Sequence, residues 1–193
     1  ATTVPTLITL TNDAAVGPRA NALWALGRIG DGRALPAALR AIEDREAVVR
    51  EAAATALGQL DSSAAITALI RHLRQDPAAN VRRISAWALA QLEAKTADGA
   101  LGEALANDKD ADVREMSAWA IGNLSIRQGN AALLAAAKSD ADERVRETAV
   151  WAIAERGDAS AAGTVGDVLA NEKNAAVRAT AAWALGDLEP KTA

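Results

Sequence analysis

Residues 113–124 read "VREMSAWAIGNL", and the same pattern opens every copy of a repeat along this 193-residue chain. Val-Arg stands at Val49-Arg50, Val81-Arg82, Val113-Arg114, Val145-Arg146 and Val177-Arg178, always 32 residues apart, with Pro18-Arg19 one copy earlier by 31. Residues 49–60, "VREAAATALGQL", carry the pattern without its Trp. With Val as position zero and about 100° of turn per residue, positions 0, 4, 7, 8 and 11 fall within about 100°, which predicts a helix with one apolar stripe. A second helical segment follows each copy: "RALPAALRAIE", "AAITALIRHLR", "GALGEALAN", "NAALLAAAK" and "SAAGTVGDVLA". Turn residues such as Gly30-Asp31-Gly32, Asp61-Ser62-Ser63 and Gly157-Asp158 separate the segments. A pair of antiparallel helices of this size cannot bury its apolar face alone. The expected fold is therefore all-α, a right-handed α-solenoid of stacked antiparallel helix pairs about 32 residues each, in one domain over 1–193.

The repeat units begin near residues 14, 45, 77, 109, 141 and 173, and residues 1–13 form a partial repeat. Pro5 sits 31 residues before Pro36, so "VPTLITL" aligns with "LPAALRAI". The tail "LEPKTA" aligns with "LEAKTA" at 92–97 and stops before another helix. A segment of a longer protein is the expectation, since complete arrays carry polar caps.

Composition narrows the chemistry. Ala, Leu, Glu and Arg favour helix, and the absence of Cys excludes disulfides and thiolate metal sites. No apolar run approaches the roughly 20 residues of a membrane span. Residues 1–96 carry 11 Lys/Arg against 9 Asp/Glu, or +2; residues 97–193 carry 10 against 16, or −6. An acidic half argues against a nucleic-acid partner, which needs a concentrated basic face. With one His and no Gly-rich phosphate loop, neither catalysis nor a metal or other cofactor is expected. His72, between Arg71 and Arg74, reads as a surface residue. Arg156 replaces the apolar residue that Ile29, Leu60, Leu92, Leu124 and Leu188 supply, and is expected to loosen packing between the fifth and sixth copies.

The acid five residues before each Val (Asp13, Asp44, Asp76, Asp108, Asp140, Glu172), the Val-Arg pair and the A-L-G-x-L ending together resemble HEAT repeats of the short bacterial type, also found in phycobilin lyase subunits. The resemblance covers essentially the whole chain. It implies a structural ladder between successive repeats, made here by Asp44, Asp76, Asp108 and Asp140 with Arg50, Arg82, Arg114 and Arg146. It also implies that the Trp-bearing helix lines a concave surface.

Position six carries Trp24, Thr55, Trp87, Trp119, Trp151 and Trp183, in a chain without Phe or Tyr. On the wheel this position lies near 240°, away from a stripe centred near about 30°. Beside it fall position two, with Glu115 and Glu147, and position ten, with Gln59, Gln91, Asn123, Glu155 and Asp187; position nine is Gly or Ala throughout. A Trp ladder of this kind suits partner recognition. Trp119 followed by Asn123 is similar to the armadillo repeats of importin-α, whose indoles form slots and whose Asn amides hold an extended peptide. An extended strand advances about 3.3 Å per residue and a polyproline II segment about 9.3 Å per turn, against about 8–10 Å between packed helices, so either could present every third side chain to successive slots. Glu115, Glu147, Glu155 and Asp187 would favour Lys or Arg there.

The reading is a non-catalytic scaffold that binds a protein or extended peptide, basic toward the C-terminal half. It would be monomeric unless exposed repeat ends pair, and a cytoplasmic or periplasmic domain of a bacterial protein. Two alternatives stand beside it. One is a spacer in a larger signalling protein or membrane peptidase, its indoles packed between helices; the other is a chromophore lyase-like subunit.

Overall fold

A computed structural model describes residues 3–124 and 131–188. The described residues form twelve α-helices and no strand: α1 (Thr3–Leu10), α2 (Val16–Ile29), α3 (Leu35–Ala41), α4 (Ala47–Gln59), α5 (Ile66–Gln75), α6 (Ala79–Gln91), α7 (Asp98–Asn107), α8 (Ala111–Asn123), α9 (Ala131–Ser139), α10 (Glu143–Arg156), α11 (Ala162–Asn171) and α12 (Ala175–Leu188). The fold is all-α and solenoid-like. The chain divides into two compact units, Ala1–Ala97 and Asp98–Ala193. In the first, α2, α4 and α6 pack side by side while α1, α3 and α5 each pack on the helix that follows them. In the second, α8, α10 and α12 form the row, backed by α7, α9 and α11. The alignment of the tail "LEPKTA" with 92–97 falls largely outside the described residues.

Small side chains set the approach of the row-forming helices. Ala56, Ala88, Ala120, Ala152 and Ala184, at position seven, are all buried, as are Leu57, Leu89, Ile121 and Ile153 at position eight. A methyl group added at Gly58 would lie 2.9 Å from Ala88 Cβ, and one at Gly122 would lie 2.9 Å from Ala152 Cα. At that approach only hydrogen fits. Ser85 and Ser117 are also fully buried, and each hydroxyl donates to the carbonyl four residues back, Val81 and Val113, at 2.8 Å.

The acid–arginine ladder is present, and Arg19, Arg50, Arg114 and Arg146 each bind in two directions. Forward, Arg19 pairs with Asp44, Arg50 with Asp76, Arg114 with Asp140 and Arg146 with Glu172, at 2.9, 2.7, 2.8 and 2.6 Å. Both Nε and Nη2 donate to the two carboxylate oxygens, the bidentate geometry a planar guanidinium allows. Backward, Nη1 of Arg19, Arg50, Arg82, Arg114, Arg146 and Arg178 donates to the carbonyl of the acid six residues earlier. The acids in turn accept the backbone N–H two residues on, as Asp76 does from Ala78 at 2.9 Å. One rung therefore fixes the turn between two helices and ties that turn to the next repeat. Burial pushes the Asp76 carboxyl up, but the bonds from Arg50, the Ala78 N–H and His72 outweigh it and hold it down to about 2. The bond from Arg146, helped by the Asn174 N–H, likewise holds Glu172 at about 2.

Two expectations are corrected here. His72 is buried, not on the surface: Nδ1 lies 3.0 Å from Asp76 and Nε2 3.1 Å from Glu43, which is also paired with Arg71. One turn of α5 places His72 over Asp76, so the imidazole joins the rung made by Arg50. Arg156 does not loosen the packing. It is 3% exposed, and its Nη1 donates to Asp98 at 3.0 Å and to the Ile121 carbonyl at 3.1 Å. The guanidinium thus clasps α10 to α8 and to the start of α7 within the second unit.

Candidate functional site

Position six lies opposite the buried stripe, so its side chains stand on the far face of the row-forming helices α2, α4, α6, α8, α10 and α12. Trp24 is 55% exposed and Trp183 48%, whereas Trp87, Trp119 and Trp151 are half-buried. For Trp87 and Trp151, glycines account for the cover. The ring carbon Cζ3 of Trp87 lies 3.0 Å from where a Gly58 Cβ would stand, and that of Trp151 lies 2.9 Å from the same point on Gly122. Gly58 and Gly122, at position nine, are therefore shelves for the indoles of Trp87 and Trp151 in the repeats that follow them. The first unit holds Trp24 and Trp87 on this face, and the second holds Trp119, Trp151 and Trp183.

The neighbours of the indoles differ between units. In the first, the Arg28 guanidinium stacks over the Trp24 ring at 5.3 Å, a cation–π contact within one helix turn. Thr55 turns its hydroxyl back onto the Glu51 carbonyl at 2.9 Å, and Gln59 bends over Gly27 instead. Its Oε1 is buried with no hydrogen-bond partner. Glu51 faces Arg83 at 4.0 Å, and Gln91 is exposed.

In the second unit the face is acidic. Glu155 and Asp187, one turn beyond Trp151 and Trp183, are exposed and have no hydrogen bond or ion pair among the described residues. Glu147 accepts from the Thr180 hydroxyl at 3.0 Å. Glu115 is paired with Arg144 at 3.2 Å, and Arg144 also holds Asp112 at 2.9 Å and Asp142 at 3.2 Å. Burial pushes the Glu115 carboxyl up, and Asp112, Asp142 and Glu147 add to that against the pull of Arg144. Asn123 is exposed, but its amide donates to the Trp119 carbonyl at 2.8 Å, which uses one of the two N–H groups an extended peptide would need. All twelve residues singled out by the pattern thus lie on the row-forming helices, and the structure groups them by unit.

A cleft of about 720 Å³ lies elsewhere in the second unit, lined by Lys138, Asp140, Arg146, Asp167, Glu172 and Lys173. Much of its charge is already matched, with Lys138 on Asp167 at 2.8 Å and Arg146 on Glu172 at 2.6 Å. Among the described residues no three His, Asp or Glu side chains are grouped to hold a metal ion. No described helix is long and apolar enough to cross a membrane.

Sequence reasoning missed His72 and Arg156. The four-residue spacing from His72 to Asp76 on one helix was a usable signal. Arg156 offered none, since Asp98 lies 58 residues away.

The repeat signature of HEAT repeats matches residues 4–90, 70–132 and 99–186, nearly the whole chain. The chain belongs to the HEAT-repeat family. No curated protein matches it significantly. Among solved structures it is similar to a designed armadillo repeat protein in complex with peptide (KR)4, at 22% identity and TM-score 0.70, covering 96% of this chain and 99% of that one. It is similar to the YibA protein of Escherichia coli at 22% identity and TM-score 0.71, over 94% of this chain and 69% of that one. The complex of CpcE and CpcF of phycocyanin lyase from Nostoc matches at 22% identity and TM-score 0.58, over 96% and 82%. At these identities the likeness is one of fold, which in HEAT repeats serves many functions.

Proposed function

We propose that the Trp-bearing faces of the row-forming helices bind an extended segment of a partner protein, that this segment is Lys- or Arg-rich where it meets the second unit, and that the chain catalyses no reaction. The observation that carries the reading is the contrast between Trp24 and the pair Trp151 and Trp183. At Trp24 an intramolecular guanidinium, Arg28, occupies the ring face. At Trp151 and Trp183 the same position, one turn along, holds an exposed carboxylate, Glu155 or Asp187. A partner's guanidinium placed there gains the ring stacking that Arg28 has, and an ion pair that Arg28 lacks. The designed armadillo protein that shares the fold binds a peptide of alternating Lys and Arg.

Fluorescence anisotropy with dye-labelled (KR)4 tests this. Binding should weaken as salt rises and fall at least about tenfold in the double variant Glu155→Lys, Asp187→Lys, since a hydrogen bond to a charged group is worth about 1.5–3 kcal/mol. Equal binding by the double variant would refute the assignment. The half-burial of Trp87, Trp119 and Trp151 favours a second reading, a spacer whose indoles pad the helix row. Absence of any (KR)4 binding would leave that reading in place.

A further inference from the structure

The ladder has one gap, and the gap has a shape. At Gly58 and Gly122 the space above the glycine is filled by the edge of the following repeat's indole, Trp87 or Trp151. At Gly27 the following repeat supplies Thr55, which is too short to reach and spends its hydroxyl on its own helix. The backbone frame is otherwise the same. A Cβ at Gly27 would lie 2.8 Å from Ala56 Cα, just as one at Gly58 would lie 3.0 Å from Ala88 Cα. The space is taken instead by the Gln59 amide, whose Oε1 lies over Gly27, buried and without a hydrogen-bond donor. A buried, unpaired carbonyl is a poor occupant, because turning out to water restores its hydrogen bonds. Three large apolar side chains of the same unit stand exposed nearby in sequence, Trp24 at 55%, Ile29 at 47% and Val48 at 51%.

We infer that the gap at Thr55 is an anchor site for one aromatic side chain of the partner, whose ring takes the place over Gly27 that Trp87 takes over Gly58. The other copies supply the template for the occupant: a flat ring entering edge-on over a glycine, where an aliphatic side chain would leave the shelf partly empty. Gln59 swings out to water as the ring enters. The anchor lies wholly within the first unit. As a place where a partner's segment is held, it rests on the proposed binding face.

The test is an NMR titration of the full chain with N-acetyl-tryptophanamide, with N-acetyl-alaninamide as control. The tryptophan compound should shift the Gly27 amide and the Gln59 side-chain amide, and the alanine compound should not. Thr55→Trp supplies the missing ring from within and should weaken the binding about tenfold or more. Gln59→Ala removes the present occupant and should strengthen the binding several-fold, which keeps the test decisive if Thr55→Trp folds poorly. Absence of shifts at Gly27 and Gln59, an unchanged affinity in Thr55→Trp, or a weaker one in Gln59→Ala would overturn the anchor. The (KR)4 experiment, through Glu155 and Asp187, reads the second unit by itself. Loss of (KR)4 binding with these shifts intact removes the basic-peptide reading alone, and the converse removes the anchor alone.

Discussion

Arg50→Ala breaks the most enclosed rung of the ladder, and its cost can be worked from the hydrogen bonds. Arg50 gives Asp76 two bonds, at 2.7 and 2.8 Å, and gives the Asp44 and Arg45 carbonyls one each at 2.9 and 3.0 Å. The Asp76 side chain is 1% exposed, so water cannot replace the missing partner. The fall of this carboxyl from 3.8 to about 2 corresponds to about 2 kcal/mol of stabilisation at neutral pH. Without Arg50 the largest contribution to that stabilisation goes and the burial penalty remains, offset in part by His72 and the Ala78 N–H. The expected loss is about 3 kcal/mol, at the low end for a broken buried pair. Urea unfolding followed by circular dichroism measures it, with Lys138→Ala as the control. That variant breaks an exposed pair, Lys138 with Asp167, and should cost less than about 1 kcal/mol. The pH dependence has a definite sign. A depressed carboxyl contributes stability that is fully present above its unfolded value and lost as pH falls through its folded value, here from 3.8 to about 2. The penalty of Arg50→Ala should therefore shrink on acidification across that window, as Asp76 takes a proton. A cost no larger than that of the Lys138 control, or one unchanged by acid, would refute the reasoning.

Two further predictions concern packing. Gly122→Ala should destabilise by about 1–3 kcal/mol, because the new methyl would stand 2.9 Å from Ala152 Cα and from the Trp151 ring. Gly186→Ala, with no atom within 4 Å of the new methyl, should stabilise α12 by about 0.5–1 kcal/mol; thermal unfolding of the two variants should shift in opposite directions. Arg156→Leu restores the residue that most copies carry at this position, yet it should destabilise by about 1–3 kcal/mol, because it removes the bonds to Asp98 and the Ile121 carbonyl. A gain in urea midpoint for Arg156→Leu would show that the clasp contributes nothing.

By itself the sequence determined the elements and the logic of the repeat. A spacing of 32 residues repeated with one apolar stripe admits only helices that stack on copies of themselves, and an acid and an Arg at fixed offsets place the two ends of each rung. It also placed every Trp opposite the stripe, since a wheel position follows from spacing alone. Tertiary structure decided what wheel positions cannot: how far each side chain is covered by its neighbours. Trp87 and Trp24 occupy the same position, but a glycine from the preceding repeat receives the edge of one, while Arg28 of its own helix stacks on the other. His72 has the composition of a surface residue between two arginines, and is buried because Glu43 from a neighbouring repeat meets it on the far side. Arg156 breaks the apolar pattern and still fits, because Asp98, 58 residues distant, arrives to pair with it. Periodicity is a property of one helix, whereas burial and pairing belong to helices brought together. The missing Trp at Thr55 is plain in the sequence, but only the assembled stack could show Gln59 standing where a ring stands elsewhere.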